Sequence, residues 1–168
     1  MIECWLCPAV VAFGVPLYMQ LSTIKKQLTP IVLSELAGCV VGIVSVVWIA
    51  KELGASREVV LSLASKSVTT PIAMEVTKAV GGIPSLTAAV VVGVGLLGAV
   101  CGYRTMGFAR VKSPVAQGLS MGTAAHALGT ATSMDRSQVH GAYASLGLTL
   151  NGIFTSLLTP SIIPLILC

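Results

Sequence analysis

The chain has 168 residues, of which 55% are hydrophobic and only 10% charged, with a net charge of +4. Water-soluble domains carry about 25% charged residues, so this composition, with a mean hydropathy of +0.93, excludes an ordinary soluble fold and points to a bilayer as solvent. The ten Lys and Arg are scattered, with no basic stripe and few aromatics, which argues against nucleic-acid binding; in a membrane protein their placement reports topology instead.

A helix that crosses a bilayer needs about 20 mostly apolar residues. The opening "MIECWLCPAVVAFGV" lacks a basic start and its apolar stretch runs past signal-peptide length, so it reads as a first crossing over 5–24. Cys4 and Cys7 form a CxxC there. Without a βαβ pattern around them they read as small apolar residues rather than a redox pair. Further crossings are expected over 30–50, 84–103 and 141–167. Two intervening stretches, 59–78 and 115–134, are apolar enough to enter the bilayer. They are rich in Gly, Ser and Thr, and they carry Lys66 and His126. The connections are short, so one integral membrane domain over 1–168 is expected. Five cysteines and two histidines show no metal-ligand spacing, and no cofactor is expected. No nucleophile elbow or hydrolase-like carboxylate pair is present, so the chain does not read as an enzyme.

Shifting the chain by 60 positions lays the first Gly/Ser/Thr-rich stretch on the second without a gap. Lys66 falls on His126, Thr70 on Thr130, Glu75 on Asp135 and Gly81 on Gly141, which predicts an internal repeat over about 58–100 and 118–160. Charge then bears on topology. If all six segments cross, Lys25, Lys26, Lys78 and Arg136 oppose Lys51, Arg57, Arg104, Arg110 and Lys112, which is no bias. If 59–78 and 115–134 enter and return, Lys25, Lys26, Arg104, Arg110, Lys112 and Arg136 share one side against Lys51, Arg57 and Lys78. That asymmetry suits the positive-inside rule and makes the two segments enter from opposite faces. Crossing helices broken in the middle are the alternative. The expected architecture is all-α and polytopic, with about four transmembrane helices plus two broken or re-entrant segments in an inverted repeat.

The stretch "KSVTTPIAM", 66–74, explains why such an apolar chain interrupts itself. Pro71 removes an N–H and biases Thr70 away from helical geometry. A break at Thr69–Thr70, with Pro71 opening a second half-helix, follows. The free N–H groups and positive dipole end of that half-helix favour an anion, to which Ser67, Thr69 and Thr70 add polar groups and Lys66 a charge. Gly122, Thr123, Gly129 and Thr130 offer a matching polar break beside His126. Two broken segments meeting near the midplane are a common transporter substrate site. The candidate substrate-binding residues are therefore Lys66, Ser67, Thr69, Thr70, Pro71, Gly122, Thr123, His126, Gly129, Thr130 and Asn151. Blander readings stand beside these. Lys66 snorkels to an interface; His126 hydrogen-bonds a backbone carbonyl; Pro71 is a kink; Asn151 is helix–helix glue. Glu75 and Asp135 read as solvated segment ends rather than proton carriers. The GxxxG pairs Gly38/Gly42, Gly98/Gly102 and Gly118/Gly122 read as close helix packing.

"KSVTTPIAM", "GGIPSLTA", "GTAAHALGTA" and "GAYASLGLTLNG", in this order over nearly the whole chain, resemble the LrgB/CidB family of bacterial inner-membrane proteins, its YohK-like branch above all. The resemblance implies a multi-pass protein working beside a small LrgA/CidA-like (YohJ-like) membrane partner, with a homo-oligomer as a further arrangement. The function expected first is transport of small monocarboxylates such as glycolate and pyruvate; the alternative that the resemblance implies is an antiholin-like regulator of murein hydrolase activity and autolysis. Two positions depart from the family pattern: Ser65 stands where proline is usual, and Ala125 where serine is common. Family members carry further apolar segments upstream of Cys4, so the resemblance implies an N-terminally shortened chain.

Overall fold

A computed structural model describes residues 14–167. The elements are α1 (Gly14–Met19), α2 (Leu21–Lys26), α3 (Leu28–Glu52), α4 (Arg57–Leu63), α5 (Thr70–Val80), α6 (Pro84–Phe108), α7 (Pro114–Arg136) and α8 (Gln138–Leu167). No strand occurs among the described residues. Three helices, α3, α6 and α8, are long and apolar enough to cross a bilayer, at the positions expected for the second, third and fourth crossings. Residues 5–13 of the expected first crossing lie outside the described residues, as do Cys4 and Cys7. Its described part is the pair of short helices α1 and α2.

Residues 57–80 do not cross. α4 ends at Leu63, the chain is non-helical over 64–69, and α5 runs back beside α4. The Ile83 N–H donates to Ser62 Oγ at 2.7 Å, and Thr87 Oγ1 donates to the Ser62 carbonyl at 2.9 Å. Ser65 Oγ donates to the Ala73 carbonyl at 3.1 Å and shares a hydrogen bond with Thr77 Oγ1 at 2.9 Å. A continuous helix would hold residues 62 and 83 about 30 Å apart. The two arms are instead clasped by a buried cluster of Ser62, Ser65, Thr77 and Thr87. Ser65, where the family usually has proline, supplies two of these bonds. The return ends at Gly81, whose φ of 85° lets the chain turn out of α5, and Pro84 opens α6.

α7 is a second hairpin. Its helical path is interrupted at His126, with φ 43° and ψ −131°, the backbone geometry of the first central residue of a type II′ turn. A Cβ placed on Gly129 would strike the Met121 carbonyl oxygen and come within 2.7 Å of Ala125 Cβ. In a straight helix residues 121 and 129 would be about 12 Å apart. Gln117, in the first arm, meets His140 at the start of α8 through Oε1 and Nε2 at 3.0 Å, so both arms end at one level.

The ends can now be matched. Lys51 Nζ donates to the Ile166 carbonyl at 3.2 Å, which puts the C-terminal ends of α3 and α8 together. The first hairpin enters from that end, and the second enters from the other. Lys25, Lys26, Arg104, Arg110, Lys112 and Arg136 lie at the end from which the second hairpin enters, against Lys51, Arg57 and Lys78 at the opposite end. The polarity of the molecule is that of a protein in lipid: Leu97 is 68% exposed, whereas Thr77, Thr87, Thr130 and Thr159 are fully buried. Apolar packing is concentrated where Cys39, Ile43, Val47 and Ala50 of α3 meet Val60 and Leu61 of α4 and Ile163 of α8.

Candidate functional site

The tips of the two hairpins approach each other halfway along α8. Asn151, buried there, donates from Nδ2 to the Ser67 carbonyl at 2.9 Å and to the Thr123 carbonyl at 3.0 Å. One side chain thus joins both interruptions. In a lipid-surrounded interior, backbone carbonyls beside a break need donors from within the protein. Thr155 Oγ1, one turn on, donates to Asn151 Oδ1 at 3.4 Å, and Cys39 Sγ lies 3.3 Å from Thr155 Oγ1.

A cavity of about 590 Å³ opens beside this junction. Gln27, Pro30 and Ser113 line it at the basic end of the molecule, and Lys66, Ser67, Thr123 and Asn151 line it at the depth of the hairpin tips. Most of the wall is apolar, with a few convergent polar groups, as is usual for a small-molecule site. Lys66 is half-buried and donates from Nζ to Ser67 Oγ at 2.9 Å. An ammonium has three protons, so the group is oriented by Ser67 with donor capacity left for the cavity.

Of the residues expected from sequence, Lys66, Ser67, Thr123 and Asn151 line this cavity, and the others lie around it. Thr69 is the N-cap of α5, without a side-chain cap, and Thr70 and Pro71 open that helix. Pro71 faces a separate shallow surface depression with Ile72 and Glu75. His126 points to the far side of its hairpin, where Nε2 meets the Val91 carbonyl of α6 at 2.8 Å. The carbonyl only accepts, so this nitrogen bears the proton. Gly122 and Gly129 are places of close approach: a Cβ on Gly122 would strike the Ala144 carbonyl of α8. Thr130 Oγ1 donates to the His126 carbonyl at 2.9 Å, inside the second arm. Glu75 and Asp135 are both exposed.

One cavity residue escapes the pattern analysis. Glu35, in α3, is 3% exposed and its carboxyl oxygens each lie 2.7 Å from Thr123 Oγ1. It is the one buried carboxyl among the described residues. The signal was present: a single carboxylate inside the otherwise apolar run "PIVLSELAGCVVGIVSVVWIA" is expensive in a bilayer and is by default functional. The interruptions that single out the two hairpins do not point to it, because α3 is itself unbroken.

The model of the LrgB-like family matches residues 1–165. Over 153 residues the chain is 38% identical to Uncharacterized protein YwbG of Bacillus subtilis (strain 168), covering 91% of this chain and 68% of that one. Over 166 residues it is 35% identical to Antiholin-like protein LrgB of Bacillus mycoides (strain KBAB4), covering 99% of this chain and 72% of the relative. The same length is 34% identical to Antiholin-like protein LrgB of Bacillus cereus (strain B4264), with the same coverage. No solved structure matches the chain. A polytopic helical membrane protein with two opposed hairpins, matched along almost its whole length, this chain belongs to the LrgB-like family.

Proposed function

We propose that this protein is an antiholin-like regulator of murein hydrolase activity and autolysis in the bacterial inner membrane, working with a small LrgA/CidA-like membrane partner. The names of its relatives support this reading. The excess of basic residues at one end supports a cytoplasmic position for that end.

A second reading is favoured by the site: transport of a small monocarboxylate. The observation that supports it is Lys66, held by Ser67 at the tip of a re-entrant hairpin and lining a cavity that reaches the basic end. A lysine at that depth is costly unless it serves a solute or a partner. Control of autolysis is then a consequence of organic-acid traffic. One experiment separates the readings. Cells carrying the wild-type chain or Lys66→Glu, each with the small partner, are assayed for uptake of labelled pyruvate, glycolate and lactate and for autolysis. If the protein is a carrier, uptake falls at least tenfold in Lys66→Glu, at equal protein in the membrane, and autolysis control falls with it. A regulator that moves no solute shows no uptake above background and keeps its control of autolysis in Lys66→Glu.

A further inference from the structure

We propose that Glu35 is a proton-binding site of the cavity, and that a proton on Glu35 and a monocarboxylate on Lys66 are taken up together. The inference rests on the carrier reading above and adds its coupling ion. The observation is a count of hydrogens around Thr123. Its Oγ1 lies 2.7 Å from each Glu35 carboxyl oxygen and 2.7 Å from the Leu119 carbonyl oxygen one turn back in its own helix. A hydroxyl has one proton to donate. If Glu35 is ionised, that single proton serves either the carboxylate or the carbonyl, and the group not served is left in a short contact between acceptors. If Glu35 is a neutral carboxylic acid, one of its oxygens donates to Thr123 Oγ1, and Thr123 donates to the Leu119 carbonyl. The carboxyl and the carbonyl are then each hydrogen-bonded to Thr123, and of the three contacts only that of the second carboxyl oxygen is not a hydrogen bond. A proton on Glu35 therefore satisfies both groups where the ionised form satisfies one.

The surroundings agree. Against Glu35 from α8 lies Gly147, where a Cβ would stand 3.2 Å from Oε1. From the second hairpin comes the uncharged Thr123. Among the described residues, the titratable groups lining the cavity besides Glu35 are Lys66 of the first hairpin and Cys39 one turn along α3. Among them no arginine, histidine or second carboxylate lines it, and Lys66 donates to Ser67. The charge state of the cavity is therefore set by Glu35 and Lys66. With both ionised the cavity is neutral overall and has little attraction for an anion. With Glu35 protonated it carries one positive charge at Lys66. A proton moves from water onto the Glu35 carboxylate, an anion settles on the Lys66 ammonium, and both leave together, so that each transfer is electroneutral. Linkage makes the effect reciprocal: anion binding raises the proton affinity of Glu35, and protonation raises the affinity for the anion. With one proton per anion, binding weakens by about tenfold per pH unit above the titration of Glu35.

The purified full chain tests this in two ways. Infrared spectra at neutral pH should contain the C=O stretch of a protonated, buried carboxylic acid, absent in Glu35→Gln and shifted in Thr123→Val, which keeps the carboxyl but removes its partner. Pyruvate binding to the wild type should weaken about tenfold per pH unit above the titration of Glu35, and binding to Glu35→Gln, a neutral isostere, should be retained and flat over the same range. A wild type with no such infrared band at neutral pH overturns the proposal. So does pyruvate binding that keeps the same pH dependence in Glu35→Gln, an outcome that leaves the carrier reading standing. A band that behaves as expected in a protein that binds no pyruvate, glycolate or lactate overturns the carrier reading and the coupling with it.

Discussion

At the scale of the residue, the site is organised by side chains that satisfy backbone groups exposed by the breaks. Asn151 does this for both hairpins at once, giving one amide proton to Ser67 O and the other to Thr123 O. Side-chain hydrogen bonds inside membrane proteins are worth about 0.6–2 kcal/mol each. Asn151→Leu, of similar volume and without donors, should therefore lower stability by about 1–4 kcal/mol for the pair, read as a lower unfolding midpoint in detergent. An unchanged midpoint would mean that the two tips are held by packing alone. The sequence marked Asn151 but left open whether it joins helices or meets a solute. Its two contacts are with backbone of this chain, and its face toward the cavity is additional. Lys66 and His126, aligned by the 60-residue offset, are not equivalent in space: Lys66 lines the cavity, and His126 turns to Val91 of α6. Register along the chain says how far apart two residues are, not which side of a turn each side chain takes.

At the scale of the element, glycines decide how closely the second hairpin can lie against its neighbours. A Cβ on Gly98 would strike Ala125 Cβ, and one on Gly102 would meet Met121 Sδ at 2.5 Å. This face of α6 is therefore occupied by the hairpin of the same chain. Gly118 and Gly122 are likewise filled by α8. Of the three GxxxG pairs, two are spent on internal packing, and assembly through Gly98 and Gly102 is not open to a partner without unpacking α7. Gly98→Leu should destabilise the protein by about 1–3 kcal/mol through overpacking. Gly93→Leu, on the same helix with nothing within 4 Å of its Cβ, should leave the unfolding midpoint unchanged. Equal effects of the two substitutions would count against the packing described. Ala125, where the family commonly has serine, sits beneath Gly98, so the smaller, apolar residue suits this contact.

At the scale of the whole molecule, the two hairpins make residues far apart in sequence share a side of the membrane. Ser56 and Lys78 flank the first hairpin, Lys112 and Ser137 the second, and all four are exposed. In a cysteine-free background, an impermeant maleimide should label Ser56→Cys and Lys78→Cys from the same side. Lys112→Cys and Ser137→Cys should be labelled from the other side. Labelling of positions 56 and 78 from opposite sides would show a crossing segment and overturn the hairpin. The cavity gains its meaning only at this scale. It extends from the basic end toward hairpin tips of which one enters from each end of the molecule.

By itself, the sequence determined that the chain lives in a bilayer, where its three described long helices lie, and that "KSVTTPIAM" is broken at Thr69–Thr70. Those properties follow from local causes: apolar length sets a crossing, and proline cannot continue a helix. The basic-residue asymmetry also favoured two re-entrant segments, because charge placement is a one-dimensional record of topology. Only the tertiary structure decided which polar groups share the cavity. It joined Lys66, Ser67 and Asn151 to Thr123 and to Glu35, 31 residues before Lys66, and it turned His126 away. The physical reason is that each of these positions depends on how two hairpins and an unbroken helix pack at mid-membrane. That packing depends on the close approaches at Gly98, Gly122 and Gly147, whose partners lie on other segments and leave no periodic trace in the chain.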